Sequence, residues 1–166
     1  AMFGGSNFEW QVQDATNHST GYDKLAIAGS LDLTGASDTN KVNLKISSLL
    51  GAGDGSTPGN PLNFGPPNGT SSIRVFNFAT VQTGANGVLL GNGLNISDVF
   101  QFDLSQFTYS DGSTSNAGLW SIDWNSANGA ITLTAVPEPS TYGFGLGALA
   151  LAAAAIRRRK RQATKA

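Results

Sequence analysis

The sequence predicts an all-β domain, a β-sandwich or the end or cap of a β-solenoid, followed by a single C-terminal transmembrane α-helix. Three observations carry this reading. Short runs that alternate apolar and polar residues, the period of a half-buried strand, recur from Phe8 to Thr134. Turns rich in Gly, Asn and Ser separate them, and no stretch before residue 140 sustains a helical period. From Tyr142 to Ile156 the chain is then uncharged and nearly all Ala, Leu and Gly, with Arg157-Arg158-Arg159-Lys160-Arg161 directly behind it.

Phe8-Glu9-Trp10-Gln11-Val12-Gln13-Asp14 alternates without a break and reads as the first strand. Lys24–Ala28 and Ser30–Thr34 are two shorter ones on either side of Gly29. Lys41–Ser47 alternates most cleanly, placing Val42, Leu44 and Ile46 on one face. Gly51 to Pro67 is rich in Gly, Pro, Asn and Ser and reads as a long loop. Ile73-Arg74-Val75-Phe76-Asn77-Phe78 is apolar in part on both faces, which predicts burial on two sides. Gly84 to Gly93 turns around Val88-Leu89-Leu90, and Val99 to Leu104 follows with Phe100, Phe102 and Leu104 in phase. Phe107-Thr108-Tyr109 leads into the turn Asp111-Gly112. Trp120, Ile122 and Trp124 alternate with Ser121 and Asp123, and Asn128-Gly129 sets a tight turn into Ile131–Thr134, so residues 119–124 and 130–135 form a hairpin. Such short strands suit a sandwich, a jelly roll or a solenoid end. The lack of a repeat at fixed spacing speaks against a pure solenoid.

A spanning helix needs about 20 apolar residues, with roughly 17 as a lower bound, and the run from Tyr142 to Ile156 alone falls short. Ser140 and Thr141 cost little near an interface, and the Arg stems can snorkel, which extends the apolar span. Gly143 and Gly147 have the small-xxx-small spacing that allows close helix contact in lipid. Basic residues beside a span stay in the cytoplasm, so Arg157, Arg158, Arg159, Lys160 and Arg161 set the topology and place the domain outside. A soluble helix would carry a polar face, which this run lacks. Pro137 and Pro139 stop the helix upstream and hold Glu138 in extended peptide, a form that a membrane-embedded processing enzyme can bind. The predicted division is residues 1–135 as an exported β domain, 136–141 as an extended motif, 142–156 as the membrane helix and 157–166 as a basic cytoplasmic tail.

Val136-Pro137-Glu138-Pro139-Ser140-Thr141, a short apolar helix and an Arg-rich end together resemble the PEP-CTERM sorting signal of Gram-negative bacteria. The resemblance implies recognition by exosortase, a transpeptidase of the inner membrane, and cleavage near Pro137-Glu138-Pro139. It further implies that the mature domain passes to the cell surface or the exopolysaccharide matrix. The matching residues are then substrate, and the transpeptidase, membrane lipid and exopolysaccharide are the partners. A second resemblance covers residues 8–50. Trp10-Gln11-Val12-Gln13-Asp14-Ala15 and Gly21-Tyr22-Asp23-Lys24-Leu25-Ala26-Ile27-Ala28-Gly29-Ser30-Leu31-Asp32-Leu33 are similar to the closing segment of exported proteins with autotransporter-associated β-strand repeats. This implies a β-solenoid upstream, of which these residues are the last coils and cap.

The formal net charge of −1 hides a partition. Lys24, Lys41, Lys45 and Arg74 face ten carboxylates before residue 136, a balance of −6, whereas residues 157–166 carry six positive charges and no negative ones. An acidic domain is poorly suited to nucleic acid. The chain has no cysteine, which excludes disulfides and thiolate chemistry. Ala1–Ser6 offers neither a charged start nor an apolar h-region, so the expectation is a C-terminal fragment, or a chain whose leader has been removed.

The residues point to a structural or adhesive, non-enzymatic role without cofactor or metal. The alternative is a carbohydrate-binding module in the exopolysaccharide matrix, which requires an exposed aromatic platform among Trp10, Trp120, Trp124, Phe76 and Phe78. Trp120 and Trp124 share the face of Ile122, so core packing is the expected use of those rings. A hydrolase would need two carboxylates roughly 5 to 9 Å apart. Glu9 is the only glutamate of the β domain, and most of its aspartates adjoin Gly, Ser or Thr, where they cap turns. His18 lies in a polar stretch and reads as solvated surface. Asp54 and Asp111 sit in Gly-rich loops without the spacing of a calcium site.

Overall fold

Among the described residues, alternating residues turn inward on nine strands: β1 (Asn7–Val12), β2 (Leu25–Ala26), β3 (Leu31–Asp32), β4 (Val42–Ser48), β5 (Arg74–Thr80), β6 (Val88–Leu89), β7 (Phe100–Gln106), β8 (Trp120–Asn125) and β9 (Ala130–Ala135). A computed structural model describes residues 1–51, 55–65 and 73–136. The helix expected at 142–156 and the basic tail at 157–166 lie outside the described residues. Among the described residues no helix is long and apolar enough to cross a membrane. Helix there amounts to the single turn α1 (Ile96–Val99) and a 3-10 turn at Ala117–Leu119.

The strands pair in the manner of a winding chain. β1, β4 and β7 form one parallel sheet, β2 pairs parallel with β5, and β3 pairs parallel with β6. Each of two successive coils thus contributes one strand to each of three ladders, which is the pairing of a β-solenoid rather than of an antiparallel sandwich. The third coil begins with β7 and then changes course. β9 lies on β5 in the position that a next coil would fill, but runs antiparallel, and β8 pairs antiparallel with β9. That hairpin ends the stack. Coil length explains why no fixed repeat shows in the sequence. Asn7 pairs with Asn43, 36 residues on, whereas Val42 pairs with Phe100, 58 residues on. Most of the difference lies in the longer connection from β4 to β5.

The described residues 55–65 of that connection belong to no named strand or helix, as their composition predicts, yet they deliver Phe64 to the centre of the core. Phe64 lies 5.1 Å from Phe107, 5.4 Å from Phe76 and 5.8 Å from Trp120 between ring centroids. Trp10 meets Phe76 edge-on at 5.2 Å, and Phe76 stacks on Trp120 at 6.2 Å. One aromatic cluster therefore joins β1, β5, the loop and the β8–β9 hairpin. Val42, Leu44 and Ile46 are fully buried beside it, on the face that their alternation assigns.

Two expectations are corrected. β5 is not buried on both sides: Phe76 and Phe78 are inside, while Ile73 and Val75 are 58% and 53% exposed on the other face. Ladder alternation sets this, because the core lies on one side of the β5–β9–β8 sheet. The β8–β9 turn is also wider than a two-residue turn, since Asn125 pairs with Ala130 and Ser126–Gly129 lie between them. Gly129 takes φ +67° there and accepts a hydrogen bond from the Val81 N–H at 2.8 Å.

A Cβ on Gly129 would both strain the backbone and collide with the Val81 carbonyl oxygen. Gly84, at φ +85°, has open space around it. Gly129→Ala should thus destabilise the domain by about 2–3 kcal/mol, and Gly84→Ala by about 1 kcal/mol from backbone strain alone. Thermal melts of the two variants check this ordering; equal losses would remove the packing argument.

Candidate functional site

β9 carries the chain to the predicted motif. Ile131, Leu133 and Ala135 point inward and are buried, while Thr132 and Thr134 point outward. β-Branched residues in this alternation favour a strand packed on one face. β9 is also the inner strand of its neighbourhood, bonded to β5 from Ala130↔Thr80 to Ala135↔Arg74 and to β8 from Ala130↔Asn125 to Ala135↔Trp120. The described residues end one position later. The Val136 N–H donates to the Leu119 carbonyl at 2.7 Å, and the Val136 side chain is 42% exposed. The peptide beyond it starts from this hydrogen-bonded residue, and Pro137 and Pro139 bring no N–H of their own.

A family model of the PEP-CTERM protein-sorting motif matches residues 135–160. The chain carries a PEP-CTERM sorting motif. No curated protein and no solved structure matches the chain. The PEP-CTERM match begins at Ala135, the last residue of β9, so the folded strand stops where the signal starts. Such a motif marks a secreted chain for processing by exosortase at the membrane and display outside the cell. Of the motif residues, Val136 is the one placed by the structure. Pro137, Glu138, Pro139, Ser140 and Thr141 lie outside the described residues, as do Arg157, Arg158, Arg159, Lys160 and Arg161.

The β domain upstream of the PEP-CTERM motif buries the rings that a sugar platform would need. Trp10, Phe76, Phe78 and Trp120 are at most 5% exposed, and Trp124 is half-buried against the same core. Hydrophobic packing claims them because they fall on the inward phase of β1, β5 and β8. His18 sits on the surface with Nδ1 3.0 Å from the Tyr22 hydroxyl. Asp54 lies outside the described residues, and Asp111 accepts from the N–H and hydroxyl of Ser113 as a turn cap. Among the described residues there is no group of three His, Asp or Glu side chains that could hold a metal ion.

The outer face of β1–β4–β7 holds a charged row that only strand register reveals. Glu9 pairs with Lys45 and Lys45 with Asp103, and Lys45 Nζ lies 3.6 Å from Glu9 Oε1. Asn7 and Asn43 form a second row, Asn43 Nδ2 donating to Asn7 Oδ1 at 2.9 Å. These residues with Ser105 and Gln106 line a shallow groove of about 560 Å³. The Ser47 hydroxyl, then the Lys45 charge, hold the Glu9 carboxyl below the usual carboxylate range. The Ser105 N–H and hydroxyl do the same for Asp103. Two strand spacings, about 9.6 Å, separate the carboxylates, and neither has the raised pKa that a proton donor to a glycosidic oxygen needs.

A second carboxylate ties the loop to the first strand. Asp14 accepts from the Thr16 N–H and hydroxyl at 2.9 Å each and from Asn63 Nδ2 at 3.0 Å. Hydrogen bonding by Asn63, then by Thr16, lowers its pKa. A depressed folded-state pKa adds stability that is present above the unfolded value, about 3.9, and is lost as pH falls through the folded one. Asp14→Asn should therefore lower the melting temperature at neutral pH, and its deficit against the parent should shrink below about pH 4. Melting curves over that range are the check; a deficit independent of pH would rule out the carboxylate charge as its source.

Proposed function

We propose that this chain is an exported surface or matrix protein of a Gram-negative bacterium, whose β domain is structural or adhesive and whose tail is an exosortase-processed address. The carrying observation is the PEP-CTERM match at residues 135–160, which begins where the anchored strand β9 ends. In this reading the apolar run 142–156 lies in the lipid of the inner membrane and Arg157–Arg161 stay in the cytoplasm. Val136–Thr141 then present an extended, Pro-bounded peptide to the transpeptidase outside the bilayer. Cleavage there releases the domain to the cell surface or the extracellular matrix.

The β domain's pairing supports a scaffold role. β1, β2 and β3 each end their sheet on the same side, whereas at the opposite end the β8–β9 hairpin covers β5. Stacking of a preceding coil on those three edges would continue a β-solenoid toward the N-terminus. A second reading, binding of exopolysaccharide, is favoured by the groove on β1–β4–β7, whose amide and charged groups offer hydrogen bonds to sugar hydroxyls. Asn43→Ala with Asp103→Ala should then weaken retention on exopolysaccharide from the host; unchanged retention would refute that reading.

Intact mass tests the sorting role. Protein recovered from the surface of an exosortase-bearing host should lack the residues after the Pro137-Glu138-Pro139 region. Pro137→Ala combined with Pro139→Ala should shift the pool to full-length chain in the inner membrane. Parent chain that stays uncleaved in that membrane would leave a plain C-terminal anchor in place of a sorting signal.

A further inference from the structure

Seven large hydrophobic residues are exposed among the described residues, and three of them gather at one end of one sheet. Val75 sits on the outer face of β5, opposite Thr134. Ile73 and Val136 extend β5 and β9 one step past the Arg74–Ala135 pair, at the same edge. The rest of that outer face is polar: Asn77, Thr132, Thr134, Ser121, Asp123 and Asn125. Arg74 alternates with Ile73 and Val75 and, paired with the inward Ala135, is half-buried on the other face, and the carboxylate of the outer face is Asp123, farther along β8. Exposed aliphatic residues gathered at a single edge of an otherwise polar face call for a partner.

Chain length says which partner is in reach. From Val136 to Tyr142, where the apolar run starts, six residues span at most about 20 Å. That edge of the sheet is thus the part of the domain held nearest to whatever surface receives the run. The opposite edge, at Asn125 and Ala130, lies about 17 Å farther along the strands.

We infer that Ile73, Val75 and Val136 form a rim that docks on the lipid surface while the tail is attached, seating the domain with the open ends of β5 and β9 toward the bilayer. The rim inserts aliphatic groups at the headgroup boundary. This rests on the proposed reading of residues 142–156 as a membrane anchor. Docking fixes how far the motif stands from the membrane and which way it faces.

The chain lacks cysteine, so single labels are clean. The full chain, bearing a polarity-sensitive dye at Val75→Cys or at Asn125→Cys, is incorporated into phosphatidylethanolamine–phosphatidylglycerol vesicles that carry a lipid-attached quencher. Flotation reports whether the tail is in the bilayer, and near-ultraviolet circular dichroism confirms that each variant keeps its fold. The expected result is a blue shift and loss of emission at residue 75, with the dye at 125 still in water and quenched by iodide. A floating chain with both dyes equally wet overturns the docking and leaves the anchor standing. Shielding at 75 that appears only when the transpeptidase is added also overturns it and makes the rim a protein contact. A chain that does not float removes anchor and docking together.

Discussion

The aromatic cluster at the centre is the contact on which the rest depends. Trp10 from β1, Phe76 from β5, Trp120 from β8 and Phe64 from the long loop are linked by ring contacts of 5.2 to 6.5 Å between centroids, with Phe76 and Trp120 touching each of the others. Each ring buries some 150–250 Å², and each favourable pair adds about 0.5–1.5 kcal/mol beyond that burial. Aliphatic side chains such as Leu33, Leu44, Ile46, Ile131 and Leu133 fill the interior around the rings. The rings are bulky enough to reach across it, so they bind the winding part of the chain to the part that closes it.

Closure then positions the signal. A parallel stack has no natural end, because each strand offers the next one an open row of donors and acceptors. Here the chain reverses, and β9 covers β5 from the opposite direction. Reversal buries the C-terminal strand between two partners and releases the chain at Val136, on the sheet edge shared with Ile73 and Val75. The device that ends the stack also sets where the sorting motif leaves the domain.

The sequence made much of this legible, for identifiable reasons. Period-two alternation is local, so β4, β7 and the β8–β9 hairpin could be read directly, and so could the inward phase of Val42, Leu44 and Ile46. The tail was legible because hydropathy, proline and charge act within a few residues of one another. Register was not legible. Nothing local tells Glu9 that it will stand beside Lys45 and Asp103, and the unequal coils hide the repeat that would have revealed it. Phe64 was missed because a Gly- and Pro-rich loop ordinarily stays outside, and this one turns inward to deliver a single ring. Ile73 and Val75 misled in the opposite sense: an apolar strand face is ordinarily a buried one, and only the one-sided core shows these to be outside.

The placement of β9 has a mechanical corollary. A pull at Val136 along the strand is resisted by six paired positions on each side of it. Those bonds are loaded together in shear, so they share the force and no single pair can be peeled open first. Resistance to forced extension is governed by the barrier to unfolding rather than by equilibrium stability. A domain tethered through this end would therefore hold against drag on the cell in proportion to how long β9 stays seated.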